Sequence, residues 1–209
     1  MSVSADPQSR KALVDLAQKF TGREITPFLT TWETDGMLPR DLHRRAADVG
    51  LLGIGIDPKL GGSGGDFADV VAMTEAMIGA GASGGVISAL FTHGIALPHV
   101  IDEYHRRVDA ADVDGADYLL AQTIEPVLRG EMILSLGVTE PDGGSDVSRL
   151  RTRAERVNES WTVSGAKTYI TSGVRADRVV AAVRTPETGE GAAGITLMML
   201  DPASPGYAT

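Results

Sequence analysis

The sequence predicts an α+β multidomain protein: an all-α helical domain at residues 1–130, followed by an incomplete antiparallel β domain at residues 131–209. Two observations carry this prediction. Apolar residues in the first part recur at the spacing of an α-helix, about 3.6 residues. From Met132 onward short β-rich runs replace them, and glycine, asparagine, proline or acidic clusters separate these runs as in a small sheet or barrel.

The helices of the first domain are predicted from their start signals and their apolar faces. Asp6 and Pro7 provide an N-cap followed by a proline at the first helical position, where a missing N–H costs nothing. In a helix that begins near Asp66, the residues predicted to face inward are Val70, Val71, Thr74, Met77 and Ile78. Other helices are predicted from residue 39 and over residues 86–97, 98–108 and 117–129.

The β domain is predicted from five runs, "MILSLGV", "WTVSG", "TYIT", "RVVAAV" and "GITLMML", with a hairpin turn at "VNESW". Five or six strands make a thin sheet, and the sequence stops at "DPASPGYAT". A sheet that stops there exposes an edge and an apolar face. We therefore expect something outside these residues to cover it.

Composition excludes several classes of function. The net charge is −9 and the isoelectric point is about 4.9, so neither nucleic acid nor an anionic membrane surface is an expected partner. There is no cysteine, which excludes disulfides and thiolate metal sites. The N-terminus lacks an apolar signal region, and no apolar run approaches the length of a membrane span. We therefore expect a cytoplasmic protein without a membrane span.

Three motifs suggest chemistry and are interpreted as ordinary structure. "GGSGG", at residues 61–65, fits a nucleophile elbow literally, but that motif needs a strand before it and a helix after it, so we expect a surface loop. "SGAKT" differs from a phosphate-binding loop because an alanine separates its glycine from its lysine. The histidines His93, His99 and His105 are six residues apart, a spacing that places them on different helical faces. No metal site is predicted.

The stretch "LSLGVTEPDGGSDVS" carries the strongest signal. A strand delivers backbone amides and the Thr139 hydroxyl to one point, and Pro141 is expected to end that strand. Gly143 and Gly144 permit positive φ and close backbone approach, and Asp146 can hold the turn by bonding its own backbone. A concave nest of amides binds phosphate while neighbouring carboxylates face away. These residues alone are compatible with two interpretations: a loop that binds a ligand, and an ordinary structured turn.

"GVTEPDGGSDVS" resembles the first signature of the acyl-CoA dehydrogenase family, and residues 137–146 satisfy each of its fixed positions. The departure is Arg149, which stands where the signature usually closes on a small residue. "WTVSGAKTYITSG" resembles the family's second flavin segment, and "GLLGIGIDPKLGGSGGD" resembles a loop of its helical domain. An acidic segment at residues 107–122 is longer than the family's usual connection, and we expect a surface insertion there.

The resemblance implies a helical domain, a middle β domain and a C-terminal helical bundle that enclose FAD and an acyl-CoA. The family's FAD takes a hydride from the substrate β-carbon while a carboxylate base removes the α-proton. The residues that the resemblance assigns to the cofactor are Leu136, Val138 and Thr139 at the flavin ring, Gly144 and Ser145 at the diphosphate, Tyr169 and Ile170 beside the isoalloxazine, and Thr171 at flavin N5. Ser145 is also assigned to the acyl-CoA.

No segment resembles the family's C-terminal bundle, which carries its glutamate base, so no catalytic residue is assigned among these residues. We expect a truncated or split chain that is inactive alone, with Glu140 as the first suspect if it does turn over. The partners implied are an acyl-CoA, an electron-transfer flavoprotein or similar acceptor, and further subunits in a homo- or hetero-oligomer. Two alternatives remain open: a non-catalytic partner subunit of a complete homologue, and a flavin oxidase or monooxygenase of the same fold.

Overall fold

A computed structural model describes residues 7–185 and 191–209. The chain separates into two compact units: the first contains the residues up to 91 together with 97–132, and the second contains residues 92–96 together with 133–209. The first unit is helical and the second holds the sheet. The predicted order of a helical domain followed by a β domain is confirmed.

Eight α-helices form among the described residues: α1 (Pro7–Glu24), α2 (Leu29–Asp35), α3 (Asp41–Asp48), α4 (Phe67–Gly79), α5 (Gly84–Leu90), α6 (His93–Asp109), α7 (Val113–Leu119) and α8 (Glu125–Leu128). A π-helical turn, Leu120–Ile124, joins the last two. The helix predicted over residues 86–97 is wrong in its extent, because α5 ends at Leu90 and α6 begins at His93. Pro98 lies inside α6. The predicted N-cap Asp6 lies outside the described residues.

The helical core is formed where α1 packs against α4. Asp66 and Asp69 cap α4 reciprocally, and Arg10 of α1 donates to Asp69 Oδ1 at 2.8 Å. The face of α4 that contains Asp69, Met73 and Met77 is buried. Prediction had placed Val71 and Ile78 inward as well, but they are 41% and 51% exposed. Hydrophobicity alone did not reveal that an aspartate, Asp69, lies on the buried face of this helix.

The segment Gly84–Asp109 is long and apolar enough to cross a membrane by length and composition. The expectation that no apolar run approaches this length is therefore wrong. The chain turns at residues 91 and 92 between α5 and α6, and Leu90 is completely buried in the helical core. The core helices of globular domains pass the same test.

The sheet has five strands: β1 (Leu134–Gly137), β2 (Arg153–Val157), β3 (Ser160–Ser164), β4 (Arg178–Arg184) and β5 (Ile195–Leu200). β4 lies at its centre, antiparallel to β5 and parallel to β1. A single parallel pair, Arg153 with Arg184, joins β4 to the β2–β3 hairpin. The sheet is therefore mixed, and the prediction of an antiparallel sheet is wrong for the pairing of β4 with β1 and with β2. Between β1 and β4 the chain forms the β2–β3 hairpin and a loop. These allow β4 to pair with β1 in the same direction.

The hairpin predicted at "VNESW" is confirmed, with Asn158 at φ 57° in its turn. The strand predicted at "TYIT" is wrong: the residues between β3 and β4 form an irregular loop. One face of the sheet builds a second core, formed by the buried side chains Ala154, Val179, Ala181 and Val183.

Candidate functional site

The loop that leaves β1 folds back on itself at once. The backbone N–H of Glu140 donates to the Gly143 carbonyl at 2.9 Å, and the N–H of Gly143 donates to the Glu140 carbonyl at 3.1 Å. β1 itself ends at Gly137, four residues before the proline that was predicted to end it. Further along, Asp146 Oδ1 accepts from the Ser148 N–H at 3.1 Å. The predicted use of Asp146, to hold the turn through its own backbone, is confirmed.

Glu140 points into the protein. Its Oε1 accepts from the Thr152 N–H at 2.8 Å, from the Thr152 hydroxyl at 2.5 Å and from Lys167 Nζ at 3.0 Å, while Oε2 accepts from the Arg151 N–H at 2.7 Å. Burial by itself would raise the pKa of Glu140, but these hydrogen bonds outweigh it and lower the pKa to about 2. The carboxylate therefore stays ionised and faces away from the outer surface of the loop.

The outer surface of this loop is open. Gly144 and Ser145 are exposed, and a Cβ placed on Gly143 would meet no atom within 4 Å. Neither Gly143 nor Gly144 has a positive φ, so that prediction is wrong. Beneath the loop lies a cavity of about 20 Å³, which is room for about one water molecule. A ligand at this loop would lie on the outer side, where the glycines leave the backbone uncovered.

The second predicted segment lies against the first. The Thr168 N–H donates to the Thr139 carbonyl at 2.9 Å. Three residues later the Thr171 carbonyl accepts from the Ser135 hydroxyl at 2.8 Å and from the Thr92 hydroxyl at 3.2 Å. Ser135 is completely buried and Thr92 nearly so. These hydrogen bonds bring Leu136, Val138 and Thr139 close to residues 168–171.

Tyr169 lies between Thr168 and Thr171, the two residues whose backbone makes these hydrogen bonds. It has φ 55°, which is uncommon for a bulky side chain, and 93% of it is exposed. Such backbone strain costs on the order of 1–3 kcal/mol and concentrates at functional sites. Among the described residues Tyr169 therefore lies outside the hydrophobic core. Ile170 and Thr171 beside it are half-buried, so the segment presents one free aromatic ring above partly covered neighbours.

Sequence reasoning missed Lys167. Its Nζ lies 3.0 Å from Glu140 Oε1 and 3.1 Å from the Val138 carbonyl oxygen, and its side chain is 12% exposed. Burial lowers the pKa of Lys167, and the bond to Glu140 offsets only part of this. In "SGAKT" the ammonium group of the lysine is bound to the Glu140 carboxylate. No spacing rule connects a lysine with a glutamate 27 residues away.

The glycine-rich "GGSGG" segment is built into the helical unit. The Ser63 hydroxyl donates to the Gly50 carbonyl at 2.7 Å, and Gly64 forms a bridge with Ile54. A Cβ on Gly62 would lie 2.1 Å from the Ile56 carbonyl oxygen. Ser63 therefore closes a tight loop and is not presented as a nucleophile.

The two segments form a surface that suits a planar heteroaromatic ligand. It combines an exposed aromatic ring with half-buried aliphatic side chains and with hydroxyl groups at their edge. Leu136, Val138, Thr139 and Ile170 are half-buried, and Gly144 and Ser145 lie beyond the turn at Glu140 with their backbone uncovered. This arrangement fits the ring and the diphosphate of a flavin dinucleotide. It also leaves these residues on one open surface.

Comparison with known proteins gives the same family for both units. Residues 7–104 match the family model of the acyl-CoA dehydrogenase N-terminal domain, and residues 135–209 match that of the middle domain. The chain is 31% identical over 191 residues to the mitochondrial long-chain specific acyl-CoA dehydrogenase of Rattus norvegicus, covering 91% of this chain and 41% of that protein. It is 27% identical over 199 residues to the mitochondrial isobutyryl-CoA dehydrogenase of Dictyostelium discoideum, covering 95% and 44%.

Solved structures agree. A probable acyl-CoA dehydrogenase from Mycobacterium abscessus is 51% identical, with a TM-score of 0.86 over 97% of this chain and 50% of that one. A glutaryl-CoA dehydrogenase from Mycobacterium smegmatis is 27% identical, with a TM-score of 0.80 over 97% and 47%. The chain thus spans about half the length of the relatives it matches. With both domain models matched in order along its length, the chain belongs to the acyl-CoA dehydrogenase family.

Proposed function

We propose that these residues form part of an FAD-dependent acyl-CoA dehydrogenase that introduces a double bond between the α- and β-carbons of an acyl-CoA thioester. The family uses FAD. The observation that carries the proposal is the junction of the two flavin segments, where the Thr168 N–H bonds to the Thr139 carbonyl and Tyr169 projects outward.

The proposed roles are those that the family resemblance implies for each residue. Leu136, Val138 and Thr139 would hold one side of the flavin ring, and Tyr169 and Ile170 would hold it from beside. The Thr171 hydroxyl would donate to the flavin near N5. Gly144 and Ser145 would hold the diphosphate at the open surface of the loop, and the Ser145 hydroxyl would also hold the acyl-CoA. When bound, FAD supplies the hydride acceptor; the protein supplies orientation and exclusion of water.

Glu140 is not the base of this reaction. Its carboxylate has a pKa of about 2 and accepts four hydrogen bonds, so it has neither the proton affinity nor a free lone pair aimed at a substrate. We assign the removal of the α-proton to a carboxylate outside these 209 residues, as the family resemblance implies.

The electron acceptor proposed is an electron-transfer flavoprotein or a protein like it. A relative from Acetobacterium woodii, 27% identical over 200 residues, is named as the CarC subunit of a caffeyl-CoA reductase–Etf complex. Assembly into an oligomer and a cytoplasmic location belong to the same proposal. The acidic, cysteine-free composition supports the location.

The experiment uses the whole protein that the natural gene encodes. Bound flavin is measured by absorbance, and reduction of an artificial acceptor is followed with a series of acyl-CoAs that differ in length and branching, with free coenzyme A as the control. We expect FAD and turnover with at least one thioester. Release of hydrogen peroxide in place of acceptor reduction identifies an oxidase. Absence of FAD, together with activity gained only on adding a complete homologue, identifies a partner subunit.

A further inference from the structure

Lys167 and Glu140 connect three separate stretches of the sheet unit. Lys167 belongs to the second flavin segment, whereas Val138 and Glu140 belong to the first. The Lys167 ammonium bridges the Val138 carbonyl and Glu140 Oε1 at 3.1 and 3.0 Å. Glu140 in turn holds Thr152 and Arg151, at the end of the loop. A single carboxylate therefore links both flavin segments to the strand that follows.

The two partners differ in what they contribute to stability. Without the lysine, Glu140 keeps three donors: the Thr152 hydroxyl and the N–H groups of Thr152 and Arg151. Lys167 makes no comparable gain, since burial of its ammonium lowers its pKa despite the bond to Glu140. The cost of removing a charge from water can exceed the gain from its ion pair, so a buried ion pair is weak evidence for stability. We therefore ask whether Lys167 instead determines where the second flavin segment lies.

We propose that Lys167 is a positioning residue that locks the second flavin segment onto the first through its bridge between Val138 and Glu140. This bridge lies one residue before the Thr168–Thr139 bond and two residues before Tyr169. It fixes where residues 168–171 lie relative to residues 136–139. The consequence for the flavin rests on the function proposed above, whereas the positioning of the segment can be measured without any cofactor.

The experiment compares Lys167→Met, Lys167→Arg and a matched control, Lys11→Met, with the wild-type protein. Lys11 is an exposed lysine that pairs with Asp15 on α1, so its replacement removes the same charge from the helical unit and leaves the flavin segments unchanged. Three quantities are measured: hydrogen exchange of the Thr168 amide, the Tm, and the affinity for FAD of the protein expressed from its own gene.

In Lys167→Met the Thr168 amide is expected to exchange roughly tenfold faster and FAD to bind roughly tenfold more weakly. The Tm is expected to fall by a few degrees, because Glu140 loses one of its four donors while its carboxylate stays buried. Lys11→Met should change none of the three. Lys167→Arg keeps a cation and should recover at least about half of the lost protection, because an arginine can still donate to both oxygens.

Unchanged Thr168 exchange in Lys167→Met overturns the bridge, whatever the flavin does. Exchange that is equally faster throughout the sheet unit, and not mainly at Thr168, also overturns it, because Lys167 would then be merely structural. An arginine variant that exchanges like the methionine variant overturns the role of the charge. A wild-type protein that binds no FAD overturns the proposed function, and the exchange measurement still decides the bridge.

Discussion

The hydroxyl of Ser135, in the middle of β1, donates to the backbone carbonyl of Thr171 at 2.8 Å. The carbonyl accepts a second bond from Thr92, 3.2 Å away. A residue of the strand and the residue immediately before α6 therefore donate to the same carbonyl of the second flavin segment. Both hydroxyls are buried, so the anchor lies beneath the segment and not on its ligand-facing side.

Removing one of these hydroxyls should lower the free energy of unfolding only slightly. Removing both should lower it by more than the sum of the two single effects. Ser135→Ala and Thr92→Ala are each expected to lower the free energy of unfolding by about 1 kcal/mol, since the carbonyl keeps one donor. The double variant leaves it with neither, and the coupling should add roughly 1 kcal/mol. Equilibrium urea unfolding of the four proteins measures this. Strict additivity would show that the two bonds do not share an acceptor in solution.

Thr171→Ala tests the assigned flavin contact without disturbing this anchor, because the anchor uses the backbone carbonyl. We expect an unchanged Tm, a shifted flavin absorbance spectrum and slower flavin reduction by acyl-CoA. The loss of one bond to a buried partner corresponds to about 1–3 kcal/mol, or roughly 5- to 150-fold in rate. Rapid-mixing absorbance gives the rate. A variant with the wild-type spectrum and rate would remove Thr171 from the site.

The lowered pKa of Glu140 predicts how the free energy of unfolding depends on pH. Its folded pKa of about 2 lies below the usual 4.5, so the unfolded chain binds the proton first as pH falls. Its contribution, on the order of 3 kcal/mol, is complete above about pH 5 and declines as pH falls toward 2. Urea unfolding between pH 3 and 7 should show this decline in the wild type and a shallower one in Glu140→Gln. Parallel pH profiles for the two proteins would contradict the assignment.

Gly62 predicts a steric penalty in the glycine-rich loop. Its missing Cβ would lie 2.1 Å from the Ile56 carbonyl oxygen, an atom of the backbone that cannot rotate away. Gly62→Ala should therefore destabilise the helical unit by about 1–3 kcal/mol or more. Gly22→Ala is the control, since a Cβ there meets nothing within 4 Å and alanine favours the helix by about 0.5–1 kcal/mol. Thermal unfolding should move in opposite directions for the two variants.

The 209-residue polypeptide, expressed by itself, is expected to retain little FAD and to show no turnover. The assigned contacts lie on an open surface, with Tyr169 93% exposed and Ser145 uncovered. Tight binding requires burial of most of a ligand's surface. Flavin absorbance after gel filtration, and the acyl-CoA assay described above, measure both. Stoichiometric FAD with steady turnover would require a base among these residues other than Glu140.

The sequence predicted what depends on local pattern. The change of hydrophobic period near residue 130, the hairpin at Asn158 and the turn bond of Asp146 can all be predicted from a few neighbouring residues. The strand predicted at "TYIT" failed for a physical reason. Tyrosine, isoleucine and threonine favour strands because they pack well on a sheet. Here the anchors at Thr168 and Thr171 hold Tyr169 in a left-handed conformation instead.

Relationships between distant residues could not be predicted in the same way. The parallel pairing of β1 with β4 joins residues 44 apart, and alternation along each strand does not reveal its partner. The bridge from Lys167 to Glu140 spans 27 residues and includes a backbone carbonyl, which carries no sequence signal. The family signature located the loop. It did not show that the loop's glutamate faces inward.

The central place of β4 also determines when the sheet can assemble during synthesis. The β2–β3 hairpin closes within its own residues, but β1 must wait for a partner 44 residues later. At about 5–20 residues per second, the ribosome leaves roughly 2–9 s between these strands. Throughout that time Ile133 and Leu134, which end up almost fully buried, have no strand to pair with. The nascent chain is thus most open to mispairing and to chaperones while the segment that carries Lys167 and Tyr169 is being made.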